Sequence, residues 1–258
     1  MNSEMIFHFD HPHCGTIAEV SEVVGGKGAS LWAMTSKLRL PTPAGFTIGV
    51  DACRVLDKTG VTEDFTAALD TAIARLEKET GRGLGDAENP LLLAVRSGAS
   101  VSMPGMMETI LNVGITPLTL PALSDMTGNH PFALDSYQRF LEGFCKSILR
   151  IDLSVLDAQI QENKDLADHT ELLETLISGK IGAERLCDTR YLLDQCIHAV
   201  IRSSHSSTAQ AYRKKTGLPD SLGTAVTVQA MVFGNKGANS GTGVVLSRDP
   251  NSREQQVC

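Results

Sequence analysis

The order of hydrophobic and polar positions along the chain predicts short strands separated by longer helices. Residues 91–95 form an apolar run typical of a buried strand, and this run stops at Arg96. Between residues 224 and 233 apolar and polar side chains alternate, as in a strand with one buried face. Two more short strands are predicted at residues 46–50 and 244–247. The sequence therefore predicts a mixed α and β chain.

Helical periodicity covers residues 29–38, 51–80 and most of 134–205. Between residues 114 and 131, three prolines and two glycines interrupt the pattern, which suggests a boundary. The longest helical region contains three apolar stripes, and such stripes usually form core. These stripes comprise Tyr137, Phe140, Leu141, Phe144, Ile148 and Leu149, then Leu172, Leu173, Leu176 and Ile177, then Leu186, Leu193, Cys196, Ile197 and Val200.

Composition narrows the class of protein. The chain has 258 residues, 42% hydrophobic and 21% charged, which suits a globular protein with a sizeable core. A net charge of −7 argues against sequence-independent nucleic-acid binding. No apolar run approaches the ~20 residues of a membrane span, and no secretory signal is recognisable. The six cysteines lack C-x2-C spacing, so neither a disulfide framework nor a zinc site is expected. We expect a cytoplasmic protein without membrane or nucleic-acid partners.

Three glycine-containing or small-residue segments could hold a polyphosphate. Residues 25–28, Gly-Gly-Lys-Gly, precede a predicted helix, where free N–H groups and Lys27 favour an anion. Arg96 precedes a small-residue loop, after which a helix-like pattern is expected to resume. Residues 234–243 form a third, glycine-rich loop. Each segment has an alternative interpretation: a plain helix start at residues 25–28, a strand-to-helix turn with a solvated arginine at Arg96, and a flexible hairpin at residues 234–243. Glu108 lies near the second loop, but nothing favours it as a metal ligand. Three histidines close together near the N-terminus, His8, His11 and His13, are expected to be solvated.

Taken together, these segments resemble the nucleotide-binding domain of the pyruvate, phosphate dikinase family. The resemblance rests on strings that occur in family order across nearly the whole chain, and MPGMM with QAMVFGN…SGTG…RDP is the specific part. The strings are GGKGASL at 25–31, LPTPAGFTI at 40–48, AVRSGASVSMPGMMETILNVG at 94–114, YQRFLEGF at 137–144 and GTAVTVQAMVFGNKGANSGTGVVLSRDP at 223–250.

This resemblance implies an α+β, ATP-grasp-like fold that is incomplete at its C-terminus and carries a helical subdomain. The implied division is an N-terminal α/β part at 1–115, a helical subdomain at 116–186, and a return to the ATP-binding domain at 187–258. It also implies a set of nucleotide contacts. These would be Lys27 and Arg96 at the phosphates, Gln229 and Met231 near the adenine, and Gly241, Thr242 and Gly243 in a phosphate-covering loop.

The function implied is the ATP-binding part of a dikinase. That reaction converts ATP, pyruvate and phosphate into AMP, phosphoenolpyruvate and pyrophosphate. The family's Mg²⁺-binding carboxylates, its phosphohistidine motif and its phosphoenolpyruvate/pyruvate barrel would lie beyond Cys258. We therefore expect Mg-ATP as ligand and the missing domains, on another chain, as candidate partners. We do not expect this chain to be catalytically complete alone. The alternative is a non-catalytic nucleotide-binding or remnant module.

Overall fold

One antiparallel sheet of five strands organises the protein. The computed structural model describes residues 4–101, 103, 107–154, 166–219, 222–246, 248–249 and 252. The strands are β1 (Ile6–His8), β2 (Gly45–Ile48), β3 (Leu93–Ala99), β4 (Thr109–Val113) and β5 (Thr224–Ala230). Their spatial order is β1-β2-β5-β3-β4, and all neighbours pair antiparallel. The central strand β5 thus joins the N-terminal strands to β3 and β4.

Helices cover both faces of this sheet. They are α1 (Ile17–Trp32), α2 (Val50–Thr59), α3 (Glu63–Thr80), α4 (Leu120–Thr127), α5 (His130–Phe144), α6 (Leu166–Ile181), α7 (Ala183–Cys187), α8 (Thr189–Ser203) and α9 (Ser207–Thr216). Short π-helical turns, Ala33–Lys37 and Cys145–Leu149, follow α1 and α5. Local sequence explains several boundaries: Thr16 and Glu19 form a capping box at the start of α1, and Gly81 ends α3 in a left-handed conformation.

The two faces of the sheet differ in polarity. On one face Phe46, Val95 and Val228 are fully buried in the main core with α5 and α8. On the other face, register pairs Thr47 with Thr227 and Thr227 with Arg96, and α1 packs there. The alternation predicted for β5 is therefore confirmed: its valines face the main core and its polar residues face α1.

The apolar stripes of the helical region are confirmed as core. Tyr137, Phe140, Leu141 and Phe144 are completely buried, as are Leu173 and Ile177. The helices between residues 120 and 187 share this core with the sheet. The boundaries drawn at residues 115 and 186 stay a prediction. Among the described residues, no helix combines the length and apolar content required to cross a membrane.

Several predicted elements were wrong in type or extent. Strand β3 does not stop at Arg96 but continues to Ala99, because Ser97 to Ala99 pair with the start of β5. The segment after the small-residue loop is strand β4, not a helix, and its exposed and buried positions alternate at the start. Residues 51–80 form two helices, because the chain turns at Gly60 with φ +76°.

The C-terminal part also differs from the expectation. Strand β5 ends at Ala230 rather than at residue 233, and Val232 is exposed. Residues 244–246 are not a strand, because no strand of the described part pairs with them, and Val244 and Val245 are exposed. Residues 114–131, predicted as a boundary, include helix α4, and the boundary itself stays a prediction. Some residues of the matching strings lie outside the described residues, namely Ser102, residues 104–106, Ser247 and Pro250. Cys258 lies outside them as well.

Candidate nucleotide site

A sharp kink in α1 brings the Gly-Gly-Lys-Gly segment against strand β3. Gly25 has φ +69° and ψ 166°, so the helix stops there and a second helical segment begins at Gly26. A Cβ atom at Gly25 would lie 1.8 Å from the carbonyl oxygen of Gly98. Only glycine satisfies both the left-handed φ and this close approach. The helix start predicted for residues 25–28 is therefore present, inside what is otherwise one long helix.

Lys27 follows directly and is held over β3. Its Nζ atom donates a hydrogen bond of 2.7 Å to the carbonyl oxygen of Ser97. The pKa of Lys27 is lowered, first because the ammonium group is partly buried and second because Arg96 places another positive charge nearby. Two cations that sequence analysis selected 69 residues apart thus lie at one place on the fold.

These two side chains line a cleft of about 720 Å³ between the second half of α1 and the end of β3. This volume is within the range of roughly 300–1,000 Å³ that small-molecule sites occupy. Small residues form one wall, among them Gly26, Gly98 and Ser100. Leu31 from α1, Met34 from the π-helical turn that follows it, and Met103 and Met107 from the β3–β4 connection give the cleft an apolar part.

The polar part of the cleft carries uncompensated positive charge. Among the described residues, neither Lys27 nor Arg96 forms an ion pair with a carboxylate. Ser30 and Thr227 add hydroxyl groups to the lining. Cations without carboxylate partners, beside small residues that admit close approach, form a site suited to a polyanion.

Of the other predicted contacts, Gln229 and Met231 lie further along the same strand and its extension. Gln229 shares the α1-facing side of β5 with Thr227, and its Nε2 atom donates to the carbonyl oxygen of Pro43 at 3.0 Å. Met231 follows the strand, packs against the main core, and its Sδ atom accepts from the N–H of Asn112. Neither residue lines the cleft.

The predicted covering loop is separated from the cationic pair. Gly241, Thr242 and Gly243 are exposed and do not line the cleft. Their loop follows the end of β5, and the carbonyl of Lys236 accepts a hydrogen bond from Asn129 at the start of α5. Because β3 and β5 run antiparallel, this loop and the small-residue end of β3 lie at opposite ends of the strand pair.

Sequence reasoning missed several residues of the cleft. Leu31 and Met34 lie at helical spacing in the sequence, and the structure places both in the lining of the cleft, while α1 buries Ala29 and Trp32. Ser30 belongs to the GGKGASL string but is not among the predicted contacts. Its position one turn after Gly26, whose carbonyl accepts its hydroxyl hydrogen bond at 2.8 Å, was the available signal.

The β3–β4 connection is anchored at its far end by Glu108. The backbone N–H of Glu108 donates to Ser203 Oγ at 3.2 Å, and Ser147 Oγ donates to the Glu108 carboxylate at 2.8 Å. Its carbonyl accepts from the N–H of Ser97 at 3.4 Å. Glu108 therefore faces away from the cationic cleft and fixes the connection to α8. Within the described part of the chain, no group of three or more His, Cys, Asp and Glu residues could hold a metal ion.

Comparison with known proteins shows the family of the chain that forms this cleft. Residues 58–258 match the family described as "Pyruvate phosphate dikinase, AMP/ATP-binding domain". The chain belongs to the pyruvate, phosphate dikinase family. It is 39% identical over 98% of its length to pyruvate, phosphate dikinase of Rickettsia felis, and 36% identical over 93% to that of Clostridium symbiosum. It is also 36% identical over 98% to pyruvate, phosphate dikinase 1, chloroplastic, of Zea mays.

The chain spans about 30% of the length of these dikinases. The mixed helix and antiparallel-sheet architecture agrees with the ATP-grasp-like fold expected for the dikinase ATP-binding domain. The match to the Rickettsia felis dikinase covers 98% of the chain, so it includes both walls of the cleft. It also includes the segment around Lys27, which precedes the residues matched by the family model. The resemblance inferred from the sequence strings is therefore confirmed at the level of the family.

Proposed function

We propose that this chain binds ATP in the cleft between α1 and β3, as the nucleotide-binding part of a pyruvate, phosphate dikinase. The observation that carries the proposal is the convergence of Lys27 and Arg96, without carboxylate partners in the described part, on one cleft. The triphosphate would lie against these cations and the backbone of Gly26. The apolar part of the cleft would take an uncharged portion of the ligand.

The remaining predicted contacts belong to this proposal. Gln229 and Met231 would lie near the adenine, and residues 241–243 would cover the phosphates. The covering role requires that this loop move towards the cleft, since it does not line the cleft in the present conformation. The magnesium ion would enter as the counter-ion of the nucleotide.

The full reaction would need further domains. Relatives about three times as long bear the name of the complete dikinase, and this chain matches about 30% of them. We propose that phosphoryl transfer from ATP to phosphate and pyruvate requires the phosphohistidine and phosphoenolpyruvate/pyruvate domains as partners. The proposed location is the cytoplasm. A non-catalytic nucleotide-binding module is the alternative, distinguished by whether adding those domains restores pyruvate-dependent formation of AMP.

Calorimetric titration with Mg-ATP tests the binding proposal. We expect saturable binding at one site, and a loss of roughly 10- to 100-fold in affinity for Arg96→Ala, the equivalent of about 1.5–3 kcal/mol for a charge-assisted hydrogen bond. Arg96→Lys should recover only part of the affinity, because lysine lacks the planar guanidinium fork. Arg139→Ala, at an exposed arginine of α5, is the control. Equal affinity of Arg96→Ala and the unsubstituted protein would overturn the assignment.

A further inference from the structure

A second cleft, here called the α8 cleft, lies on the other side of the β3–β4 connection. Its volume is about 660 Å³, and it is formed by the π-helical turn after α5, the end of α8 and the start of α9. Lys146, Arg150 and Arg202 line it. It shares no lining residue with the cleft of Lys27 and Arg96.

The three cations come from different positions in the fold. Lys146 lies in the π-helical turn, and Arg202 lies in the last turn of α8. Arg150 ends the π-helical turn with φ +54°, a left-handed conformation that arginine rarely adopts. None of the three forms an ion pair with a carboxylate among the described residues. Positive charge therefore converges on a concave surface.

Two carboxylates also line the cleft, but both have other partners. Asp57 Oδ2 lies 2.9 Å from His205 Nε2, and Glu108 accepts the hydrogen bond from Ser147. The lining also includes the hydroxyl-bearing residues Ser203, Ser206 and Ser207. The three cations thus outnumber two engaged carboxylates, and this balance favours an anion that accepts several hydrogen bonds.

We propose that the α8 cleft binds a small phosphate-bearing molecule. A phosphate dianion offers three or more acceptor oxygens to lysine, arginine and serine donors. The volume exceeds the need of a single phosphate group, so an organic phosphomonoester fits better than the free ion. The proposal does not rest on ATP binding at the first cleft, because the two clefts have separate cations.

Amide chemical-shift titration tests the proposal on the ¹⁵N-labelled chain, with inorganic phosphate and glycerol 3-phosphate as probes at constant ionic strength. We expect saturable shifts for the amides of Ala199, Ser203 and Ser206, with at least a five-fold loss of affinity in Lys146→Gln/Arg150→Asn. Asparagine at position 150 tolerates the left-handed backbone. The probe that binds more tightly identifies the source of the phosphate group.

Lys78→Gln/Arg82→Gln is the matched control, since it removes a lysine and an arginine with the same spacing from an exposed part of the surface. Its affinity should equal that of the unsubstituted chain. Arg96→Ala, which tests the first cleft, should leave the shifts at Ser203 unchanged, so failure of one site does not imply failure of the other. Shifts that do not saturate, that chloride reproduces, or that persist in Lys146→Gln/Arg150→Asn would overturn the proposal.

Discussion

The ammonium group of Lys27 donates a 2.7 Å hydrogen bond to the carbonyl oxygen of Ser97, the residue that follows Arg96 in β3. This bond ties the segment after the α1 kink to the strand that carries the second cation. It also keeps the ammonium group partly buried beside a guanidinium, and both effects lower the pKa of Lys27. The pair is therefore held together at an electrostatic cost that an anion would relieve.

A first prediction follows for the protons exchanged on ATP binding. A bound triphosphate favours the charged form of Lys27 and so raises its lowered pKa. At a pH above the pKa of Lys27 in the free protein, ATP binding should therefore be accompanied by the uptake of a proton by Lys27. Titration calorimetry in alkaline buffers of different ionisation enthalpy measures this uptake. Lys27→Met should bind ATP more weakly and without this proton, and unchanged uptake in that variant would contradict the assignment.

The second prediction concerns the kink in α1. Gly25→Ala should be strongly destabilising, because the methyl group would overlap the Gly98 carbonyl at 1.8 Å and the backbone has φ +69°. Gly60 is a matched control, since its φ of +76° and ψ of −167° lie in the same region as those of Gly25 and no atom lies within 4 Å of the position that an added methyl group would take. Gly60→Ala should cost about 1–3 kcal/mol for the backbone alone. Gly25→Ala should cost about 1–3 kcal/mol more. Equal losses in urea unfolding would show that the close approach contributes nothing.

The cleft shows how far sequence reasoning extends. The local sequence indicates Lys27 and Arg96 as candidate phosphate contacts, because a cation beside glycine or other small residues is typical of an anion-binding site. The sequence did not reveal that Arg96 lies within a strand, since pairing with Thr227 depends on a segment 131 residues away. Likewise the faces of α1 could not be assigned. Leu31 in α1 and Met34 in the π-helical turn after it have helical spacing, yet both line the cleft.

A third prediction concerns Glu108, which holds the β3–β4 connection without lining the nucleotide cleft. Glu108→Ala removes the acceptor for Ser147 and should loosen the connection that carries Met107. We expect the free energy of Mg-ATP binding to weaken by about 1 kcal/mol, close to a five-fold loss of affinity. Glu108→Gln keeps an acceptor oxygen and should restore most of this affinity. Glu142→Ala, at a carboxylate that accepts from Gln138 on α5, is the control. A weakening that glutamine does not restore would argue for a role of the charge instead.

Near the N-terminus, the histidines expected to be solvated are packed among aromatic rings. His13 contacts the edge of Trp32 with ring centroids 5.6 Å apart, and it lies 4.2 Å from the ring of His11. His8 lies 5.7 Å from Phe46. Burial lowers the pKa of His8, with Arg75 contributing, and burial lowers the pKa of His13, with His11 contributing. Burial therefore favours the neutral form of His8 and His13 in the folded protein.

The fourth prediction is a loss of stability on mild acidification. In the unfolded chain, His8 and His13 regain an ordinary pKa of about 6.5, so the unfolded state takes up protons first as the pH falls. The free energy of unfolding should therefore be greatest above pH ~6.5 and decrease below it, until the folded-state pKa values are passed. His8→Leu/His13→Leu should flatten this dependence in urea titrations across the range. His130→Leu, which changes a histidine at the start of α5, should retain it, and an equal slope in the double variant would assign the acid sensitivity to other groups.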